Sequence, residues 1–228
     1  MGTINIGGEQ MRKLLALAFI SLALLGITCS EDDVTGDQGT RVNAQHASAQ
    51  TAGSLNALIR TAWENTYNMS GSATYDADTG YWNITVVLVT GETTTMQLQF
   101  RDSSGSVQQF YNPQTTVVVY CLGTASGYAG SISFDLAITG VQEDAANLVV
   151  NGTGTFTYVG LPGTYTINGL AISKDVGAYP EAGNVTIRVW EITVTIQYNG
   201  TRYATATYSW GNLSYSFTID LEAGDVTG

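Results

Sequence analysis

From Tyr67 onward apolar side chains return at every second position, and that period constrains the fold more than any other feature of the chain. It is strictest near the C-terminus. There Leu213, Tyr215, Phe217, Ile219 and Leu221 alternate without exception with Ser214, Ser216, Thr218 and Asp220. A period of two sends the two sets to opposite faces of a strand, one buried and one wet. Upstream, Ile192, Val194, Ile196 and Tyr198 run into Asn199-Gly200, a strong hairpin signal. The return strand carries Ala204, Ala206, Tyr208 and Trp210 and turns again at Gly211-Asn212. Val185, Ile187 and Val189 fall on odd numbers, whereas Trp190 to Tyr198 fall on even ones. That slip of phase predicts a β-bulge near Val189–Glu191.

The same alternation marks earlier strands. Tyr67 to Tyr75 precedes a turn at Asp76-Ala77-Asp78-Thr79-Gly80, and Trp82 to Val89 follows it, apolar on both faces over part of its length. Gly91-Glu92 then turns into Met96, Leu98 and Phe100. Further strands are predicted at 106–111, 115–122, 129–140, 146–158 and 164–173. With 26 Gly, 13 Tyr and only 3 Pro, the composition suits strands joined by tight turns. The expected fold is mainly β: an antiparallel meander of about ten strands, as a curved sheet, a barrel or a sandwich. One helix is predicted at 44–63, with apolar residues at 44, 47, 55, 58, 59, 62 and 63 and Asn43 as its cap. Its stripe of Leu55, Leu58, Ile59 and Trp63 is expected to cover the sheet, within a single domain spanning 44–228.

The N-terminal stretch is an address. Residues 11–29 read MRKLLALAFISLALLGITC: a basic start at Arg12 and Lys13, an apolar run of 12 residues from Leu14 to Leu25 interrupted only by Ser21, then small residues. That is the pattern of a secretory signal peptide, here 1–28, with Met11 as the expected true start. The run ends Leu25-Gly26-Ile27-Thr28-Cys29 and continues Ser30-Glu31-Asp32-Asp33. In this region the chain resembles bacterial lipoprotein precursors, although Gly26 and Thr28 depart from the usual residues of their cleavage box. The resemblance implies lipidation of Cys29, an acidic tether over 29–43, and residence in the outer membrane, at its periplasmic face or the cell surface. Removing 1–28 takes away Arg12, Lys13 and Glu9, so the net charge passes from −11 to −11 − 2 + 1 = −12.

The chemistry in the rest of the chain is sparse. With 8 Lys+Arg against 19 Asp+Glu, no phosphate-reading surface is expected and nucleic acid is excluded as a partner. One His and two Cys leave no metal or cofactor site to assemble, and no Walker, HExxH, GxSxG or CxxC pattern occurs. His46 reads as a solvated residue on the helix, and Cys121, within the apolar run Val117–Leu122, as a buried small hydrophobe. Asp76 to Gly80 lacks the ligand pattern of an EF-hand, because Val87 stands where its Glu is required. Glu64, Glu92, Asp135, Glu191 and Asp220 are strand carboxylates from which a glycan-hydrolysing pair would be drawn. The clearest candidate binding group is Trp190 with Glu191 and Arg188 at the predicted bulge, where Glu191 and Arg188 read first as a structural ion pair. Strand aromatics such as Trp82 and Trp210 read first as core.

Two functional expectations follow. The first is a lipid-anchored envelope protein whose β-domain is non-enzymatic, binding a protein or glycan or serving structurally. The second is a carrier of lipid or another hydrophobe in the hollow of a curved sheet, as in the half-barrel lipoprotein carriers of the periplasm, which this architecture would resemble.

Overall fold

A computed structural model describes residues 70–87, 93–127, 130–158, 161–174, 179–222 and 225–227. The signal stretch 1–28, Cys29, the tether 29–43 and the predicted helix 44–63 lie outside the described residues.

The described chain is one antiparallel sheet. Its strands are β1 (Ser70–Asp76), β2 (Tyr81–Val87), β3 (Thr93–Asp102), β4 (Val107–Gln108), β5 (Thr116–Gly127), β6 (Gly130–Thr139) and β7 (Asn147–Tyr158). They continue as β8 (Leu161–Ser173), β9 (Ala182–Val189), β10 (Ile192–Gln197), β11 (Tyr203–Trp210), β12 (Leu213–Asp220) and β13 (Asp225–Thr227). Each strand pairs with its neighbours in sequence, except that β4 sits beside β3 and off the path. The meander is therefore as predicted, with one very short strand, β13, beyond those legible in the pattern. β1 and β13 do not pair, so the sheet is open rather than a closed barrel, and all the described strands share it, so they form no sandwich. No helix occurs among the described residues.

Register explains how the alternation becomes two faces. One row of paired residues runs across the sheet as Tyr75, Trp82, Leu98, Cys121, Leu136, Gly152, Ile167, Val185, Ile196, Ala206 and Phe217. All but Tyr75 and Gly152 are buried. A parallel row on the other face runs Thr85, Thr95, Thr124, Ser133, Thr155, Thr164, Arg188, Thr193, Ser209 and Ser214. Its hydroxyls pair across strands, at 3.0 Å for Thr95–Thr124 and 2.7 Å for Ser133–Thr155. A face of hydroxyls and amides is the reverse of what lipid-facing strands carry. On the apolar face, rings lie over facing glycines. A β-carbon at Gly154 would stand 2.4 Å from the Tyr165 ring, and one at Gly163 2.2 Å from that of Phe156. Those two pairs tolerate no larger residue than glycine.

The two ends of the sheet differ. The β9–β10 and β11–β12 connections, Trp190-Glu191 and Gly211-Asn212, are two residues each. They lie at what we term the turn end. The links 88–92, 128–129 and 159–160 lie outside the described residues. At the opposite, loop end the connections are longer and bonded to one another. Glu143 N donates to Pro113 O (2.9 Å), Gly200 N to Pro180 O (3.0 Å) and Leu221 N to Arg202 O (2.8 Å). The Tyr111 hydroxyl donates to Val141 O at 2.6 Å, and the Trp82 indole to Gln109 O at 2.5 Å. Val141, Tyr198 and Leu221 are buried beneath these loops. Ser70 pairs with Val87, away from the 77–80 turn, so the chain enters the sheet at the turn end.

Two local expectations are corrected. No bulge lies near Val189–Glu191: Val189 pairs directly with Ile192 across a two-residue hairpin. Such a turn joins residues three apart in sequence, so the buried set passes from odd to even numbers with the ladder intact. The predicted strand at 106–111 shrinks to Val107–Gln108. Beyond it the chain leaves β3 to cover Trp82 and Phe100, with the Phe110 ring 5.8 Å from Trp82 and the Tyr111 ring 6.1 Å from Phe100.

Candidate functional site

The most exposed large apolar side chain among the described residues, Trp190, stands at the turn end with Trp210 and Leu213, while Val107, Phe110 and Tyr203 are exposed at the loop end; the β9–β10 hairpin sets Trp190 apart. Trp190 has a φ of 53° and is 75% exposed. It is the only non-glycine among the described residues with a positive φ. The equivalent position in the β11–β12 hairpin holds Gly211, with a φ of 55°. A residue with a β-carbon in that region costs about 1 kcal/mol or more relative to glycine. An indole left in solvent offsets little of that cost by burial.

The hairpin register sets further apolar groups beside it. Val189 pairs with Ile192, Ile192 with Trp210, and Trp210 with Leu213, a row across four strands on the apolar face. Val189 and Ile192 are half-buried, but Trp210 is 43% and Leu213 39% exposed. Farther along the same strands Tyr208, Ile196 and Phe217 are buried. The apolar face thus runs out into solvent at the turn end and is closed over at the loop end. Replacing Trp190 by Gly is expected to leave stability unchanged or raise it by up to about 1 kcal/mol, as the strained backbone relaxes. A urea melt showing a loss greater than that would give the indole a packing role instead.

The residues predicted with Trp190 do not gather around it. Arg188 lies on the wet face, paired with Thr164 and Thr193 and lining a shallow groove with Thr166, Asn168 and Thr186. Glu191 is exposed in the turn. No ion pair joins the two: Arg188 points to the hydroxyl face, and Glu191 has left the strand. Alternation alone places Trp210 and Leu213 in the core. They do share its face, and only their place at the strand tips, either side of Gly211-Asn212, marks them as rim.

The carboxylates are spread out. Asp135 is exposed on the wet face of β6, and Asp220 is 5% exposed at the loop end of β12. Asp220 accepts from Arg202 Nε (2.6 Å) and Nη2 (2.5 Å), and Arg202 Nη1 lies 3.1 Å from Glu222. That hydrogen-bonded pair raises the Arg202 guanidinium pKa further and ties the 198–202 loop to β12. Asp76 serves its turn, accepting from Asp78 N at 3.0 Å and Thr79 N at 3.4 Å. The Thr79 side chain, then those amides, hold its carboxyl below the usual range. Glu64 and Glu92 lie outside the described residues. Cys121 is fully buried, and burial, with Asp135 adding to it, pushes its thiol up to about 12. A group of that kind is a core residue and not a nucleophile at neutral pH. Among the described residues no three His, Cys, Asp or Glu side chains gather as a metal site would require.

No protein-family model matches the chain, and no curated protein or solved structure is similar to it.

Proposed function

We propose that this is an exported, lipid-anchored protein of the bacterial outer membrane whose β-domain binds without catalysis through the turn end of its sheet. The observation that carries the reading is Trp190: a large apolar side chain held at a backbone cost where it stabilises nothing inside the molecule. Trp210 and Leu213 are exposed at the same end of the sheet, and aromatic side chains are what recognition surfaces favour. The export and anchoring half of the proposal draws on the signal-like run 11–28 and on Cys29. Several acyl chains at Cys29 would hold the protein stably, at roughly 0.8 kcal/mol for each CH₂ buried.

Binding at the rim is favoured over carriage of a lipid inside the sheet because the apolar face is already buried away from the rim, as at Leu136, Ile167 and Ile196. Cys29→Ala is expected to move the protein from the membrane to the soluble fraction. If the variant resists carbonate extraction as the parent does, the anchor is not at Cys29.

A further inference from the structure

We propose that the groove on the hydroxyl face of β8 and β9 binds an acidic saccharide, with Arg188 receiving the sugar's carboxylate and the threonines beside it receiving its hydroxyls. The groove lies on the opposite face of the sheet from the row of Trp210 and Leu213, so it stands or falls apart from the reading of the rim.

Four cationic side chains fall among the described residues, and the protein itself engages three of them. Arg101 Nε donates to Gln99 Oε1 at 2.7 Å, Lys174 Nζ donates to Gln142 O, and Arg202 Nε donates to Asp220 at 2.6 Å. Arg188 alone has no hydrogen-bond or ion-pair partner among the described residues. It stands exposed in a groove of about 280 Å³ with Thr164, Thr166, Asn168 and Thr186. A second depression of about 420 Å³ over β6, β7 and β8 shares Thr164 and Thr166 with the first, and Asp135 lines its far side. That volume lies within the range of small-ligand sites, which begins near roughly 300 Å³. Thr186 and Asn168 are held in place by Thr195 and Asn184, at 3.1 Å each. The Thr164 and Thr166 hydroxyls, common to both depressions, have no partner among the described residues. Each can donate once and accept twice.

Those groups select the occupant. A guanidinium presents a planar fork of donors that fits a carboxylate with two parallel bonds. In a chain with 8 Lys+Arg against 19 Asp+Glu a polyanion is repelled, and Asp135 disfavours a second acid group farther along. The ligand therefore carries one acid group at the β9 end and hydroxyls elsewhere. A protein partner would need about 800 Å² of surface with an apolar centre. No apolar side chain lines the groove around Arg188. A sugar ring bearing one carboxylate meets both the charge and the hydroxyls.

Titration calorimetry of the full chain in neutral detergent is expected to show binding of trigalacturonate. Its fully methyl-esterified form keeps the ring hydroxyls without the charge and should bind at least about tenfold more weakly. Arg188→Gln breaks no bond of the fold and should bring the acid down to the level of the ester. Arg101→Gln removes the same charge outside the groove and should leave the preference for the acid intact. Thr166→Val keeps the shape without the hydroxyl and should weaken acid and ester alike. Absence of binding overturns the inference, as does equal affinity of the parent for acid and ester. Equal losses in Arg188→Gln and Arg101→Gln would reduce the effect to overall charge and overturn it too. So would an unchanged affinity in Thr166→Val, which would place the sugar outside the groove.

Discussion

Phe217→Ala is expected to lower stability in urea by about 3–5 kcal/mol, whereas Thr218→Ala, one residue on, costs under about 1. The two side chains have similar sequence surroundings and opposite faces. Phe217 is 6% exposed, within the continuous apolar cluster, and its cross-strand partner is Ala206. A methyl group opposite a ring cannot expand into the space that the ring would leave, so the truncation yields a cavity as well as a loss of buried area. Thr218 is half-buried on the hydroxyl face, paired with Thr205 and Thr227. Its loss leaves a surface on which neighbouring hydroxyls and water are available. Equal costs would mean that the face assignment of β12, and with it the whole row from Trp82 to Phe217, is inverted.

That row shows what alternation can tell. In a two-faced antiparallel sheet each residue's face is fixed by parity, so Leu213 to Leu221 and Ala204 to Trp210 are readable one residue at a time. Parity says nothing about position along the strand. Trp210 and Tyr208 look alike in sequence, yet one is rim and the other buried, because burial there depends on distance from the turn end. A phase slip is also ambiguous. A bulge and a two-residue hairpin shift parity alike, and Trp190-Glu191 lacks the glycine or asparagine that would have identified a turn. The loop end was illegible for another reason. Its closure depends on contacts such as Tyr111 with Val141 and Gly200 with Pro180, between connections far apart in sequence that no local pattern couples. The Arg188–Glu191 pair failed on geometry, since three residues spanning a hairpin start do not keep one face.

Alkaline pH should destabilise the fold through two buried acids. Burial, then the charge of Asp135, pushes the Cys121 thiol from its ordinary 9.0 up to about 12. Burial also pushes the Tyr198 phenol above its ordinary 10.0. In the folded chain both therefore keep their protons after the unfolded chain has released its own. Below about pH 8 the two states carry the same protons at these sites, and neither affects stability. From about pH 9 the unfolded state gains roughly 1.4 kcal/mol per pH unit through the thiol, and from about pH 10 as much again through the phenol. The summed loss at pH 11 is about 4 kcal/mol. Denaturation midpoints followed from pH 8 to 11 check the limb, and comparison with Tyr198→Phe isolates the phenol from the other ionising groups. The Tyr198 hydroxyl is buried with no hydrogen-bond partner among the described residues, so its removal should cost little or nothing at pH 7. Above pH 10 the variant should lose stability less steeply than the parent, by about 1.4 kcal/mol per unit. Parallel curves for the two proteins would place the phenol in contact with solvent, and the loop end would then not be the sealed end of the sheet.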